Sequence, residues 1–267
     1  MSDFVIYVID IFDKNPEWTS YTKKSICKYA NKINADLKYI GVDYFKKVNF
    51  PENFNRYTKI IFLKLVIMHE FLKTKHKRGL ILDIDILISE DAKNIFEEKK
   101  SQDFYMEIDG FPDALKSAEW KIKNWLGYKD FKIKKKNKIK DEEKITEALP
   151  NAGVMLFNNS AVRKIYNRIP EPIHWVSFFK KRYGFNKNFE DIYKRQITEQ
   201  ELILFLSYEF EECAPYKLGN QWNGGPFEDV YFLHLYKHKD FIRYFNSEEN
   251  KRSLDIIRLL IKKKFII

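Results

Sequence analysis

Cysteine is almost missing from this chain. Only Cys27 and Cys213 occur, too few for a disulfide framework, and neither has a Cys or His neighbour at zinc spacing. Both are expected to be reduced and buried. The loop after the first apolar run, Asp10-Ile-Phe-Asp-Lys-Asn-Pro16, contains no glycine. That excludes a GxGxxG dinucleotide site, and it also lacks the Gly-rich, Arg-containing loop a nucleotidyltransferase would place there. The run itself, Phe4-Val-Ile-Tyr-Val-Ile9, is too short for a signal peptide or a membrane span and has no basic leader before it, so a cytoplasmic location is expected. No internal repeat is visible.

What is present is core-forming material. The 267 residues are 45% hydrophobic and 16% aromatic with 32% charged, which supports a large buried core and excludes a disordered, collagen-like or fibrous chain. Lys plus Arg outnumber Asp plus Glu by 48 to 38, a net charge of +10. Such a balance implies attraction to something anionic, and RNA, DNA, phospholipid and sugar nucleotides all qualify.

Phe4 to Ile9 reads as a buried strand, Thr19 to Ile33 as a helix capped by Thr19 or Ser20, and Leu37 to Val42 as a second strand. Ile61, Leu65, Met68 and Leu72 give the next helix an apolar face. Gly79 is expected to end the following turn, and Leu80 to Ile88 to form a third strand. This alternation predicts an α/β fold with a largely parallel sheet covered on both faces. Phe104 to Ile108 reads as a fourth strand, after which a lysine-dominated stretch (116–147) reads as an insertion or mobile loop. Gly153 to Phe157 resumes strand character, followed by a helix capped by Asn159 or Ser160 and running to about Arg168. Thr198 and Glu201 fit a capping box that opens a helix through Phe210. Tyr231 to Tyr236 reads as a late strand. A main domain over 1–246 is thus expected, with a basic amphipathic helix over 247–267 whose apolar face suits either an anionic membrane surface or the domain core.

The stretch most informative about chemistry is Leu80-Ile-Leu-Asp-Ile-Asp-Ile-Leu-Ile88. In an extended strand alternate side chains share a side, so Asp83 and Asp85 converge while Ile84 points away. Buried without partners, the two carboxylates would cost several kcal/mol each, so protons, cations or a divalent metal with a phosphate partner must meet them. Side by side they also repel, so neutralising one should leave the fold intact or slightly stabilised. The alternative is that the pair simply ends a strand and caps a turn. Roughly one such acidic pair is expected by chance in a chain this long, and Glu107-Ile-Asp109 is a second, read as the exit from a strand. The apolar flanks distinguish Asp83 and Asp85.

A helix carrying Lys64, then Arg78-Gly-Leu-Ile-Leu-Asp-Ile-Asp-Ile-Leu-Ile88, resembles the DxD region of GT-A glycosyltransferases, especially family 8 and related sugar-nucleotide transferases. The resemblance continues in order through Asn151-Ala-Gly-Val-Met-Leu-Phe-Asn158, Glu199-Gln200, Gln221-Trp-Asn223 and His234. It implies a GT-A fold with a mixed central sheet and helices on both faces. It also implies a metal-dependent transfer of a sugar from a nucleotide-diphosphate sugar, a UDP-sugar above all, to a glycan, lipid-linked or protein acceptor. Mn²⁺ or Mg²⁺ would be held by Asp83, Asp85 and His234, a donor set of two hard oxygens and an imidazole. The other reading of His234 is a core histidine.

Asn151 and Gly153 match positions lining the sugar pocket, Gly153 fitting equally well as a small residue for tight sheet packing. Glu199 and Gln200 match an acidic-Gln pair near the reacting carbon; the local alternative is the capping box of Thr198 and Glu201, with Glu199 favoured at the helix N-terminus in any case. Arg56 and Lys64 match basic positions that meet the diphosphate or sugar, against a solvated helix face as the alternative. Trp222 and Asn223 match substrate-binding positions. Where the family commonly has Gly and then Lys-Pro-Trp after the strand-end histidine, this chain has His234-Leu-Tyr-Lys-His-Lys239, leaving Lys237 as the nearby residue that reaches phosphate. Retention of configuration, typical of family 8, is slightly favoured over inversion; an inverting enzyme would also need a carboxylate base for the acceptor hydroxyl, and a retaining one would not. The competing classes are a GT-A-like nucleotidyltransferase and a basic nucleic-acid-binding protein using Lys129 to Lys140; lysine runs are usually solvated loops, and no nucleic-acid partner is expected.

Overall fold

Every side chain of Val5 to Ile9 is buried, and the alternation of the strand sends them into two separate cores. Val5, Tyr7 and Ile9 enter one apolar cluster while Ile6 and Val8 enter the other, which is the behaviour of a strand covered on both faces. The computed structural model describes residues 2–12, 18–52, 54–110, 112–125, 129–134, 139–174, 178, 181, 198–225 and 230–235. Lys237 and the basic stretch 247–267 lie outside the described residues, as does part of the lysine-rich stretch.

The chain runs β1 (Phe4–Ile9), α1 (Trp18–Lys32), β2 (Asp36–Ile40), α2 (Val42–Lys47), α3 (Arg56–Phe71), β3 (Arg78–Asp83), β4 (Ile86–Ile88), α4 (Ile95–Glu98), β5 (Phe104–Ile108), α5 (Pro112–Trp125), β6 (Pro150–Asn158), α6 (Asn159–Arg168), α7 (Glu199–Glu209), β7 (Tyr216–Lys217) and β8 (Phe232–His234). Six strands form one sheet in the order β2-β1-β3-β6-β5-β7, and β4 pairs with β8 in a second, two-stranded sheet. β2, β1 and β3 are mutually parallel. β6 runs antiparallel to both β3 and β5, and β7 is parallel to β5. The fold is therefore α/β with a mixed, mainly parallel sheet. Apolar residues of α3, α5, α6 and α7 cover one face; those of α1, with the β4-β8 pair and Trp222, cover the other. Among the described residues no helix is long and apolar enough to cross a membrane.

Several local expectations are corrected. Val42 starts α2 instead of ending β2. Gly79 lies inside β3, opposite Val5, because a Cβ there would come 2.7 Å from the Phe157 ring; the glycine admits a large aromatic from the next strand. The helix after β6 is capped by Asn158, whose side chain accepts from the Ala161 N–H. The lysine-rich stretch opens with α5, whose Ala118 and Ile122 are buried in the core.

Candidate active site

The expected third strand breaks where its chemistry lies. β3 ends at Asp83, Ile84 and Asp85 form a turn, and Ile86 to Ile88 leave for the small sheet. The carboxylates thus converge through a turn, not through strand alternation. Ile86 pairs directly opposite His234, and the Leu235 N–H donates to the Asp85 carbonyl at 3.0 Å. His234 Nε2 consequently lies 3.5 Å from Asp85 Oδ1. One ligand atom from each of Asp83, Asp85 and His234 lies within 4.8 Å of the others. Two carboxylate oxygens and an imidazole nitrogen at this spacing fit Mn²⁺ or Mg²⁺. Burial works to raise the Asp85 carboxyl, but the neighbouring His234 ring, Lys64 and a backbone hydrogen bond together hold the group below its ordinary range.

On the other side of Asp83 is a buried lysine. The Lys64 side chain leaves α3 on its apolar face and is only 5% exposed. Its Nζ lies 2.7 Å from Asp83 Oδ1 and 3.3 Å from Glu199 Oε1, and donates to the Ala152 carbonyl at 2.9 Å. Burial acts to lower its pKa, but the carboxylates of Asp83 and Glu199 reverse that and hold it above the usual lysine value, so the ammonium is charged. Lys64 is therefore not a member of a solvated helix face.

Glu199 opens α7, where the helix dipole favours negative charge. The neighbouring Glu201 carboxylate accepts from the N–H and hydroxyl of Thr198, both at 2.6 Å, in the expected capping box. Burial pushes the Glu199 carboxyl up from 4.5 to about 7, with Lys64 opposing and Asp83 adding to the rise. Its Oε2 has no hydrogen-bond partner among the described residues.

A cleft of about 870 Å³ opens over these groups, lined among others by Lys64, Asp83, Asp85, Asn151, Gly153, Glu199, Gln200 and His234. It sits at the C-terminal ends of β1 and β3, where open α/β sheets collect ligands. β6 delivers Asn151 and Gly153 to it because its antiparallel course, with Leu82 opposite Val154, brings its first residues beside the end of β3. The Asn151 Oδ1 accepts from the Gly153 N–H at 3.0 Å and from Asn223 Nδ2 at 2.8 Å, and Asn223 Oδ1 lies 3.0 Å from His234 Nδ1.

Three of the expected substrate contacts do not line the cleft. Trp222 is wholly buried in the core, packed against Tyr231 and Phe232, and Asn223 behind it is buried as well. Arg56 is an exposed residue at the start of α3, and its guanidinium donates to the Ile11 carbonyl at 3.2 Å. Conversely, Asp113, Ser117 and Lys121 line the cleft from α5, and Asp109 lines it from just beyond β5. The spacing of four between the α5 residues was a usable signal for one helix face; the lysine content of the stretch concealed it. Lys121 forms a buried ion pair with Glu201, tying α5 to the start of α7.

No family model matches the chain. No curated protein matches its sequence significantly. Among solved structures it is similar to a glycosyltransferase involved in the glycosylation of the major capsid of PBCV-1, with 12% identity and a TM-score of 0.45, covering 96% of this chain and 99% of that one. It is also similar to A197 from STIV, with 9% identity and a TM-score of 0.34, covering 60% of this chain and 68% of that one.

Proposed function

We propose that this protein is a metal-dependent glycosyltransferase that moves a sugar from a nucleotide-diphosphate sugar, a UDP-sugar above all, to a glycan, lipid-linked or protein acceptor. The observation that carries the reading is the Asp83, Asp85 and His234 group, its ligand atoms within 4.8 Å of one another, at the floor of a cleft large enough for a ligand of that class.

Asp83, Asp85 and His234 would hold a divalent cation, which would supply Lewis-acid stabilisation for the negative charge on a departing diphosphate. Lys64 neutralises Asp83 from behind and keeps its Oδ1 oriented at the cleft floor. Transfer passes through an oxocarbenium-like sugar, by analogy with glycoside cleavage. Glu199 and Gln200 face that sugar from the N-terminus of α7, the carboxyl group countering developing positive charge and the amide meeting hydroxyls. Glu199 is paired with a lysine and 2% exposed, a poor position from which to take a proton from an incoming acceptor. Retention is adopted from the resemblance to family 8; an inverting reaction would draw its base from Asp109 or Asp113, whose carboxylates also line the cleft.

The test is a thermal-shift panel of nucleotide sugars with and without Mn²⁺. A ligand at one hundred times its dissociation constant adds about 2.7 kcal/mol, and the expected result is a shift that requires both nucleotide sugar and metal. Shifts that ignore the metal, or none for any nucleotide sugar, would reject the reading.

A further inference from the structure

The hydrogen bonds behind His234 have a direction, and it is set by a backbone amide. The Gly153 N–H can only donate, so the Asn151 atom it meets at 3.0 Å is the amide oxygen. That same oxygen lies 2.8 Å from Asn223, which must therefore present its NH₂ there. The Asn223 oxygen is then the atom turned towards His234 Nδ1 at 3.0 Å, within hydrogen-bond distance, so this nitrogen carries the hydrogen; Nε2 stands 3.5 Å from the Asp85 carboxylate, beyond the usual N–H···O range. Reversing Asn223 would bring two carbonyl oxygens together at a buried position. Gly153 acts a second time through what it lacks. A Cβ there would lie 2.4 Å from His234 Cε1 and 2.7 Å from Nδ1, so the ring rests directly on the glycine.

We propose that the Gly153 amide, acting through Asn151 and Asn223, fixes His234 with its proton on Nδ1 and so leaves Nε2 as the nitrogen offered to a cation. Gly153, Asn151 and Asn223 are positioning residues for this histidine. Nε2 is the ring nitrogen on the Asp85 side. The identity of what Nε2 binds rests on the proposed function; the tautomer does not. Holding a ligand histidine through its second nitrogen is the usual means of orienting it on a metal.

The test uses the full chain with ¹⁵N-labelled histidine, free of metal, at about pH 9, well above the ordinary imidazole range near 6.5. Long-range ¹H–¹⁵N spectra distinguish the two ring nitrogens, and His234→Gln assigns the signals. The expected spectrum has Nδ1 protonated and Nε2 bare. Asn223→Ala should average the two nitrogens and weaken Mn²⁺ binding, followed by the EPR signal of the free ion, about 10- to 100-fold. Asn151→Asp, whose carboxylate still accepts from both Gly153 and Asn223, should keep the wild-type tautomer. A wild-type ring protonated on Nε2 or averaged, or an Asn223→Ala spectrum unchanged from wild type, overturns the proposal. A fixed Nδ1 proton in a protein that binds no Mn²⁺ supports the relay and strikes only the metal reading.

Discussion

Lys64 Nζ lies 2.7 Å from Asp83 Oδ1 and 3.3 Å from Glu199 Oε1, so one buried ammonium serves two carboxylates. Asp83 in turn belongs to the group with Asp85 and His234, which makes it the link between the charge balance of the core and the candidate metal centre.

Lys64→Met should cost about 3 to 5 kcal/mol of stability at pH 8, because removing one partner of a buried ion pair leaves uncompensated charge. The cost should shrink towards pH 5, where Glu199 can take a proton. Urea denaturation at both pH values checks this; an equal loss at both would mean that packing, not charge, dominates.

Glu199 gives a pH signature of its own. Its folded pKa of about 7 stands above the ordinary 4.5, so the folded chain holds this proton more tightly than the unfolded one. The resulting destabilisation is absent below about pH 4.5 and complete above about pH 7. Glu199→Gln should therefore gain on wild type as pH rises through that window, by about 3 kcal/mol from 1.36 kcal/mol per pKa unit. A flat difference between the two denaturation curves would refute it.

Gly153→Ala should displace the His234 ring, since the added carbon would sit 2.4 Å from Cε1. Overpacking of this kind costs about 1 to 3 kcal/mol. Mn²⁺ affinity, measured by calorimetry, should fall further than stability does; wild-type affinity would show that the ring moves aside harmlessly.

Asp85→Asn should abolish the Mn²⁺-dependent thermal shift. In metal-free protein it should be no more stable than wild type, contrary to the relief of repulsion expected from the strand pattern alone. Asp83 is neutralised by Lys64 and Asp85 lies beside His234, so little repulsion remains to be relieved. A higher melting temperature for the metal-free variant would restore the simpler picture.

Much of the scaffold is written locally. The apolar run Phe4–Ile9, the four-three-four spacing of Ile61, Leu65, Met68 and Leu72, and the box of Thr198 and Glu201 specify their elements through neighbours a few residues away. The pairing of Asp83 and Asp85 was also legible from the residues, and the resemblance added His234, which the structure brings to within 4.8 Å of both. Other features depended on partners distant in sequence. The turn at Ile84 follows from β4 pairing with β8 in a separate sheet, and no residue near Ile84 announces that pairing. Lys64 reads as one charge on a helix until β3 and α7 bring Asp83 and Glu199 against it. Gly153, Asn151, Asn223 and His234 come from two stretches some 70 residues apart, and only the antiparallel entry of β6 beside β3 sets them in line. Periodicity and capping act over a few residues, so a sequence displays them directly; ion pairs, tautomers and close backbone approach arise from strand pairing and packing, which exist only once the chain has closed.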